Sequence, residues 1–369
     1  MVKDKEIESL TNKLADDLAR FKNTKIKCGI IGRSGVGKSS LINAIVGEYI
    51  AEVGEVETTM EIGQPYTHNG LSFYDLPGCS TISFPIEDYL SKFDVSEFDC
   101  VILVTSDRFY EDDLFLINEL LKIKMPVFAV RTKIDYSVDR GLKREVSEKE
   151  TLETVMLNLT ENLAGYRVKG IYLTSSDYPQ EYDFSRLLDD IYSSLGTLKQ
   201  ERFIADINST SEKIIEKKKV VASKMVTLYS GLAAANGINP IPGLDIGVDV
   251  TLIKEMGTTV SDIYGLAEEQ QLFNLTSLDK KKAKLLAGKA LQFSSKYIGK
   301  EAIMLLLKKL SAKVVTKSLT KYIPFVGQVI AASTGFLMTR SIGTDMINEA
   351  QEISIENFNA LKSIRMVRD

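Results

Sequence analysis

Apolar positions follow two different rhythms along this chain of 369 residues. In the first half, short apolar runs such as "KIKCGII", "FDCVILVT", "PVFAV" and "IYLT" alternate with segments whose apolar residues recur every three or four positions. That switching of period predicts strands interleaved with helices. The expected elements are strand 25–31, helix 38–46, strands 62–67 and 71–75, strand 99–105, helix 111–122, strand 126–130, helix 147–163, strand 169–174 and helix 184–195. Alternation of this kind implies an α/β fold: a doubly wound, mostly parallel sheet with its ligand at the strands' carboxyl ends. "IGQPYTHNGLSFYD" reads as a hairpin turning at Asn69-Gly70, which adds one antiparallel pair.

From about Lys199 the strand rhythm stops and a helical pattern runs to the end. Ile7, Leu10, Leu14, Leu18 and Phe21 also fall at helical spacing, so the N-terminal stretch is expected to be an amphipathic helix docked on the chain's own core. The expected division is an N-terminal helix, residues 1–24, packing on the helical domain, an α/β domain at 25–198, and an all-α domain at 199–369. "INPIPGLDIGVDV" and "KYIPFVGQVIAAS" echo each other, each reading as a loop that enters a buried helix through proline. Met225–Leu244 and Tyr322–Thr339 carry no charge. Gly231, Gly237, Pro240 and Pro242 break the first, while Pro324, Gly327, Gln328, Ser333 and Thr334 interrupt the second. A buried helical hairpin outweighs membrane insertion for both, with reversible association at a lipid surface left open.

Composition narrows the function classes. The chain is 44% hydrophobic and 26% charged, ordinary for a globular protein. A net charge of −4 and a pI near 5.5 give no basic footprint, so no nucleic acid is expected. Cys28, Cys79 and Cys100 are unclustered and imply a reducing, cytoplasmic setting without a zinc site. The single histidine, His68, reads as a turn residue and argues against histidine-based catalysis or metal ligation. Charges throughout the first twenty residues argue against a signal peptide, and Val2 against N-myristoylation.

The chemistry concentrates between the strands. "GRSGVGKS" fits G-x-x-x-x-G-K-[ST] with a strand before it and a helix after it, the context this motif needs. Gly32, Arg33, Ser34, Gly35, Val36, Gly37, Lys38, Ser39 and Ser40 are the candidate phosphate cradle. Backbone N–H groups and the helix N-terminus face phosphate oxygens, Lys38 reaches the β- and γ-phosphates, and the Ser39 hydroxyl is offered to Mg²⁺. "RTKID" places Thr132, Lys133 and Asp135 behind a strand. The Asp135 carboxylate can accept from guanine N1–H and N2–H₂, an edge that adenine lacks, so the predicted ligands are GTP and GDP. The Lys133 stem can lie along the base. In "LSFYDLPG", Asp75 ends a strand and faces Mg²⁺ through water, and the Gly78 N–H can turn toward the γ-phosphate. "VETTMEI" supplies Thr58 and Thr59, and Thr59, adjacent to the next strand, is the chosen third Mg²⁺ group. In "IYLTSSD", a backbone N–H near Ser175 can contact guanine O6.

The residue after D-x-x-G, where Ras-like proteins hold a water-orienting glutamine, is Cys79. It fills a loop and cannot orient water. The catalytic assignment therefore rests on Lys38, Ser39, Thr59 and Gly78, with Arg33 as a further source of positive charge in cis or in trans.

These motifs, together with "SFPIEDYLSKF", "FDCVILVTSDRFYEDD", "VFAVRTKID" and "EYDFSRLLDDI" in this order, resemble the immunity-related GTPases, the IRG family of large dynamin-like GTPases, in the branch with a GKS P-loop. "NPIPGLDIGVDV" resembles their helical domain more loosely. The resemblance implies a P-loop GTPase domain followed by a helical domain. It also implies GTP hydrolysis with Mg²⁺, a homodimer or oligomer in the GTP state, and contact with internal membranes in a defence or remodelling role. Arg33 departs from the acidic residue often found at its position in that branch. Two other classes stay open: a small-GTPase-like switch acting through an effector, and an RNA- or ribosome-associated GTPase, which the acidic pI disfavours.

Overall fold

A computed structural model describes residues 2–52, 64–76, 94–236, 250–311 and 334–364. The chain divides into two compact units, one of residues 24–211 and one of residues 1–23 with 212–369.

The first unit is built on six strands: β1 Ile26–Ile31, β2 Tyr66–His68, β3 Leu71–Leu76, β4 Cys100–Thr105, β5 Val127–Arg131 and β6 Gly170–Leu173. Their order is β2-β3-β1-β4-β5-β6. Among the described residues, only the β2–β3 pair is antiparallel. Every residue of β4 and β5 is buried, as expected for parallel strands covered on both faces. The chain leaves β1 for β3 on one side and later returns to β4 on the other. This reversal of strand order opens a crevice beside the loop that follows β1.

Helices cross between the strands: α2 Lys38–Val46, α3 Glu111–Lys122, α4 Ile134–Leu142, α5 Glu148–Asn162, α6 Phe184–Ser194 and α7 Thr197–Asp206. The core on the α3 and α5 side includes Ile31, Leu103, Leu116, Ile117, Ala129 and Leu159. α4 was not anticipated. It has only two inward apolar residues in its first turns, Ile134 and Val138, both buried, and it contains Gly141. That glycine lets α4 approach α5, since a Cβ there would lie 2.3 Å from Thr151 Oγ1.

One boundary differs from the expected elements, and the expected hairpin turn shows a further constraint. β2 starts at Tyr66 rather than at residue 62; residues 64 and 65 lie outside any strand, and 62–63 lie outside the described residues. At the hairpin turn, Asn69 has φ +52° while Gly70 has no positive φ. Gly70 is required by close approach instead: a Cβ would fall 2.5 Å from Arg202 Nε and 2.6 Å from the Thr24 carbonyl oxygen. Its N–H donates to Asp206 Oδ2 at 3.0 Å, and Asp206 is in turn paired with Arg202 inside α7. α7 thus locks onto the hairpin, and Asn208 N–H donates to the Ile45 carbonyl of α2 at 2.7 Å. These bonds hold the unit together as far as residue 211, beyond the boundary at 198 suggested by the loss of strand pattern.

The second unit is helical: α1 Val2–Asn23, α8 Glu212–Asn236, α9 Val250–Tyr264, α10 Glu268–Leu275, α11 Lys280–Tyr297, α12 Lys300–Ser311 and α13 Thr334–Lys362. α8 is its central element and packs against α1, α9 and α13. Leu14, Leu18 and Phe21 of α1 are buried. α13 comes so close to α8 that a Cβ on Gly343 would lie 2.4 Å from Val226 Cγ1. Of the uncharged stretch Tyr322–Thr339, residues 322–333 lie outside the described residues. Its last part opens α13 with Phe336, Met338 and Thr339 buried. Among the described residues, no helix is long and apolar enough to cross a membrane.

Candidate nucleotide site

The loop from Gly32 to Gly37 leaves the carboxyl end of β1 and enters α2. Gly37 adopts φ +94° at the N-cap of α2, a left-handed conformation that costs glycine little. Gly32 sits against β4, where a Cβ would lie 2.4 Å from the Val104 carbonyl oxygen. Ser34 and Gly35 are exposed, Val36 is buried, and Ser39 and Ser40 in the first turn of α2 are half-buried. Lys38 Nζ donates to the Gly32 carbonyl at 2.9 Å and to the Arg33 carbonyl at 3.3 Å.

Asp75 lies in β3, in register with Ile30 of β1. Lys38 Nζ approaches its Oδ1 to 3.6 Å, too far for a hydrogen bond. That buried oxygen has no hydrogen-bond partner among the described residues. Burial lifts the Asp75 carboxyl above its ordinary range, and Lys38 opposes the rise. An underserved carboxylate beside a phosphate loop suits a metal-bound water. Among the described residues, no cluster of three or more His, Cys, Asp or Glu could hold a metal alone. One hydroxyl, Ser39, and one carboxylate, Asp75, are oxygen donors of the kind that suits Mg²⁺.

The structure ties "TKID" to the phosphate loop. The Thr132 hydroxyl is within donating reach of the Val36 carbonyl and of the Thr105 carbonyl, the latter at 3.1 Å. Lys133 takes φ +55° and its Nζ donates to the Gly35 carbonyl at 2.7 Å. Asp135 follows in the first turn of α4 and is 9% exposed; burial raises its carboxyl above the ordinary value. Ile134 N–H donates to the Thr174 carbonyl at 3.2 Å, bringing the end of β6 to the same loop. Ser175 is buried beside Asp135, and its hydroxyl makes no hydrogen bond of good geometry.

Arg33 turns toward α3. Its guanidinium carbon lies 3.8 Å from the centre of the Tyr110 ring. Thr58, Thr59, Gly78 and Cys79 lie outside the described residues. Two residues absent from the sequence reading belong to the neighbourhood. Tyr110 is one. Arg131 is the other: it is buried, hydrogen-bonds the Thr132 carbonyl and donates to Ser137 Oγ at 3.2 Å. Burial lowers its guanidinium below the ordinary value. No motif marks either residue. Only the folded chain shows what they touch.

A parallel sheet with a glycine loop at its strand-order reversal, and a T-K-x-D segment bonded to that loop, defines a P-loop GTPase. The chain matches the family model described as Interferon-inducible GTPase (IIGP) over residues 1–322. It is 29% identical over 275 residues to Interferon-inducible GTPase 1 of Mus musculus, an alignment covering 70% of this chain and 66% of that protein. It is 27% identical to Interferon-inducible GTPase 5 of Rattus norvegicus, covering 95% of this chain and 80% of that protein. The chain belongs to the interferon-inducible GTPase family. It also resembles the G domain of the T. maritima FeoB iron transporter, with TM-score 0.29 and 24% identity over 46% of this chain and 98% of that one, a likeness too slight to bear on function.

Proposed function

We propose that this chain binds GTP and GDP at the crevice beside β1, hydrolyses GTP to GDP with Mg²⁺, and forms a homodimer or oligomer through its nucleotide face in the GTP state. The observation that carries the nucleotide reading is the bonding of Thr132 and Lys133 to the carbonyls of Val36 and Gly35. It joins the base-reading segment to the phosphate loop, so one ligand can span both.

In this reading, N–H groups of residues 35–39 and the start of α2 hold the phosphates. Lys38 exchanges its carbonyl partners for β- and γ-phosphate oxygens. Asp135 accepts from the guanine edge, with Ser175 beside it. Mg²⁺, when bound, would supply positive charge against the phosphates. Ser39 and Asp75 are the described residues that would hold it, and Thr59 is the proposed third, with Gly78 donating its N–H to the γ-phosphate. Cys79 cannot orient the attacking water. Assembly would supply what is missing by excluding water from the reacting phosphate.

Contact with an anionic lipid surface is part of the same reading. On α11, Lys281, Lys284, Leu285, Leu291 and Gln292 lie on one exposed face around Gly288, a mix of lysine and leucine suited to lipid headgroups. Hydrolysis measured with light scattering across protein concentrations tests the whole reading. Turnover that depends on a separate activator, with no assembly, would favour an effector-coupled switch instead.

A further inference from the structure

We propose that Tyr110 is a rest for Arg33: the ring holds this guanidinium on the α3 side of the P-loop until a nucleotide phosphate draws it off toward the reacting charge. This rests on the reading that the crevice holds a nucleoside triphosphate. It adds a positioning residue to that reading and gives Arg33 two places.

The backbone that carries the ring is well fixed. Tyr110 N–H donates to Asp113 Oδ2 at 3.0 Å at the start of α3, and Phe109 N–H donates to Asn162 Oδ1 at 2.9 Å. Thr105 Oγ1 donates to the Arg108 carbonyl at 2.8 Å and accepts from Asp107 N–H at 3.2 Å. The loop that carries the ring is thus anchored at both ends. Arg33 is held less completely. Its buried Nε has no hydrogen-bond partner among the described residues, although its guanidinium carbon is 3.8 Å from the ring centre. A cation with an unmet donor, stacked on an aromatic face and carried by a phosphate-binding loop, is poised to exchange that face for an anion. Phosphate offers the planar fork paired, charge-assisted hydrogen bonds, which exceed a cation–π contact in strength.

A second guanidinium makes the exchange reversible at little cost to the ring. Arg108 already lies 5.0 Å from the same ring centre. It keeps a cation–π contact with the Tyr110 ring when Arg33 leaves. On the phosphate, Arg33 would stabilise charge that develops during transfer, the role that an arginine plays in GTPases generally.

The chain contains no tryptophan, so Tyr110→Trp provides a single fluorophore at the rest, and tryptophan accepts a guanidinium better than tyrosine. The emission of this variant is followed during titration with a non-hydrolysable GTP analogue and with GDP, while calorimetry records binding independently. The expected result is an emission change that saturates with the triphosphate, is smaller with GDP, and is lost in Arg33→Ala/Tyr110→Trp although that variant still binds nucleotide. Saturable binding with no emission change, or the same change without Arg33, overturns the proposal. Absence of any nucleotide binding would instead overturn the reading of the crevice. A second variant reads turnover: Tyr110→Leu, which removes the rest, should raise the basal rate severalfold at low protein concentration. Arg33→Ala should cancel that rise. A basal rate in Tyr110→Leu that is unchanged or lower overturns the withholding role.

Discussion

Asp135→Asn should reverse the base preference of the crevice. The side chain is 9% exposed, at the first turn of α4, where its backbone is fixed by the Ile134–Thr174 bond. In the proposed site, guanine N1–H and N2–H₂ would present two donors to it. A hydrogen bond to a charged group contributes about 1.5–3 kcal/mol, so losing both costs about 3–6 kcal/mol, or two to four decades of affinity. A loss of about 10²–10⁴ in GDP affinity is therefore expected. Asparagine also turns an NH₂ donor toward the guanine donors, while xanthine offers it a carbonyl. Competition titration with GDP, XDP and ADP on the wild-type chain and the variant measures all three affinities. A drop in GDP affinity of less than about tenfold, or equal wild-type affinity for ADP and GDP, would refute the assignment of Asp135 as base reader. The same carboxyl sets a pH dependence. Its pKa lies above the ordinary 3.8, and only the ionised form accepts from both donors. Guanine affinity should fall on acidification, beginning above the pH range of an ordinary aspartate, and ADP affinity should not follow it.

Three further outcomes follow from the packing. Lys38→Ala should abolish detectable nucleotide binding and leave the helical circular dichroism intact, because Lys38 touches loop carbonyls and Asp75 rather than a core; loss of helicity at ambient temperature would contradict this. Arg202→Met should destabilise the GTPase unit by about 3–5 kcal/mol, since it leaves Asp206 charged and buried at 1% exposure; an unchanged denaturation midpoint would remove the claim that α7 locks the hairpin. Lys281→Glu with Lys284→Glu should abolish co-flotation with phosphatidylserine vesicles at low salt; flotation equal to the wild type would show that the α11 face is not the lipid contact.

Much of the site was legible because its signals are local. Gly37, Lys38 and Ser39 depend on a turn whose residues adjoin in sequence, and the apolar runs of β4 and β5 announce buried strands. Thr132 was readable as part of "TKID", but its bond to Val36 crosses from β5 to β1 and becomes visible only in the sheet. α4 escaped notice because two apolar residues and a glycine make a weak period. The hairpin turns at Asn69-Gly70 as its sequence implies, but that position 70 also needs glycine because Arg202 approaches it depends on a residue far away in sequence. Arg33 was recognised as a loop cation; that it stacks on Tyr110 depends on how the loop after β4 lies beside the loop after β1.

The most direct test of the account is turnover per molecule as a function of protein concentration, with light scattering recorded in the same sample. The account predicts that specific GTPase activity rises about ten- to a hundredfold from well below to well above micromolar protein, short of the full range that an arginine supplies in other GTPases, together with GTP-dependent scattering that decays as GTP is spent. Specific activity that stays flat over that range, with no scattering at any stage, would contradict it.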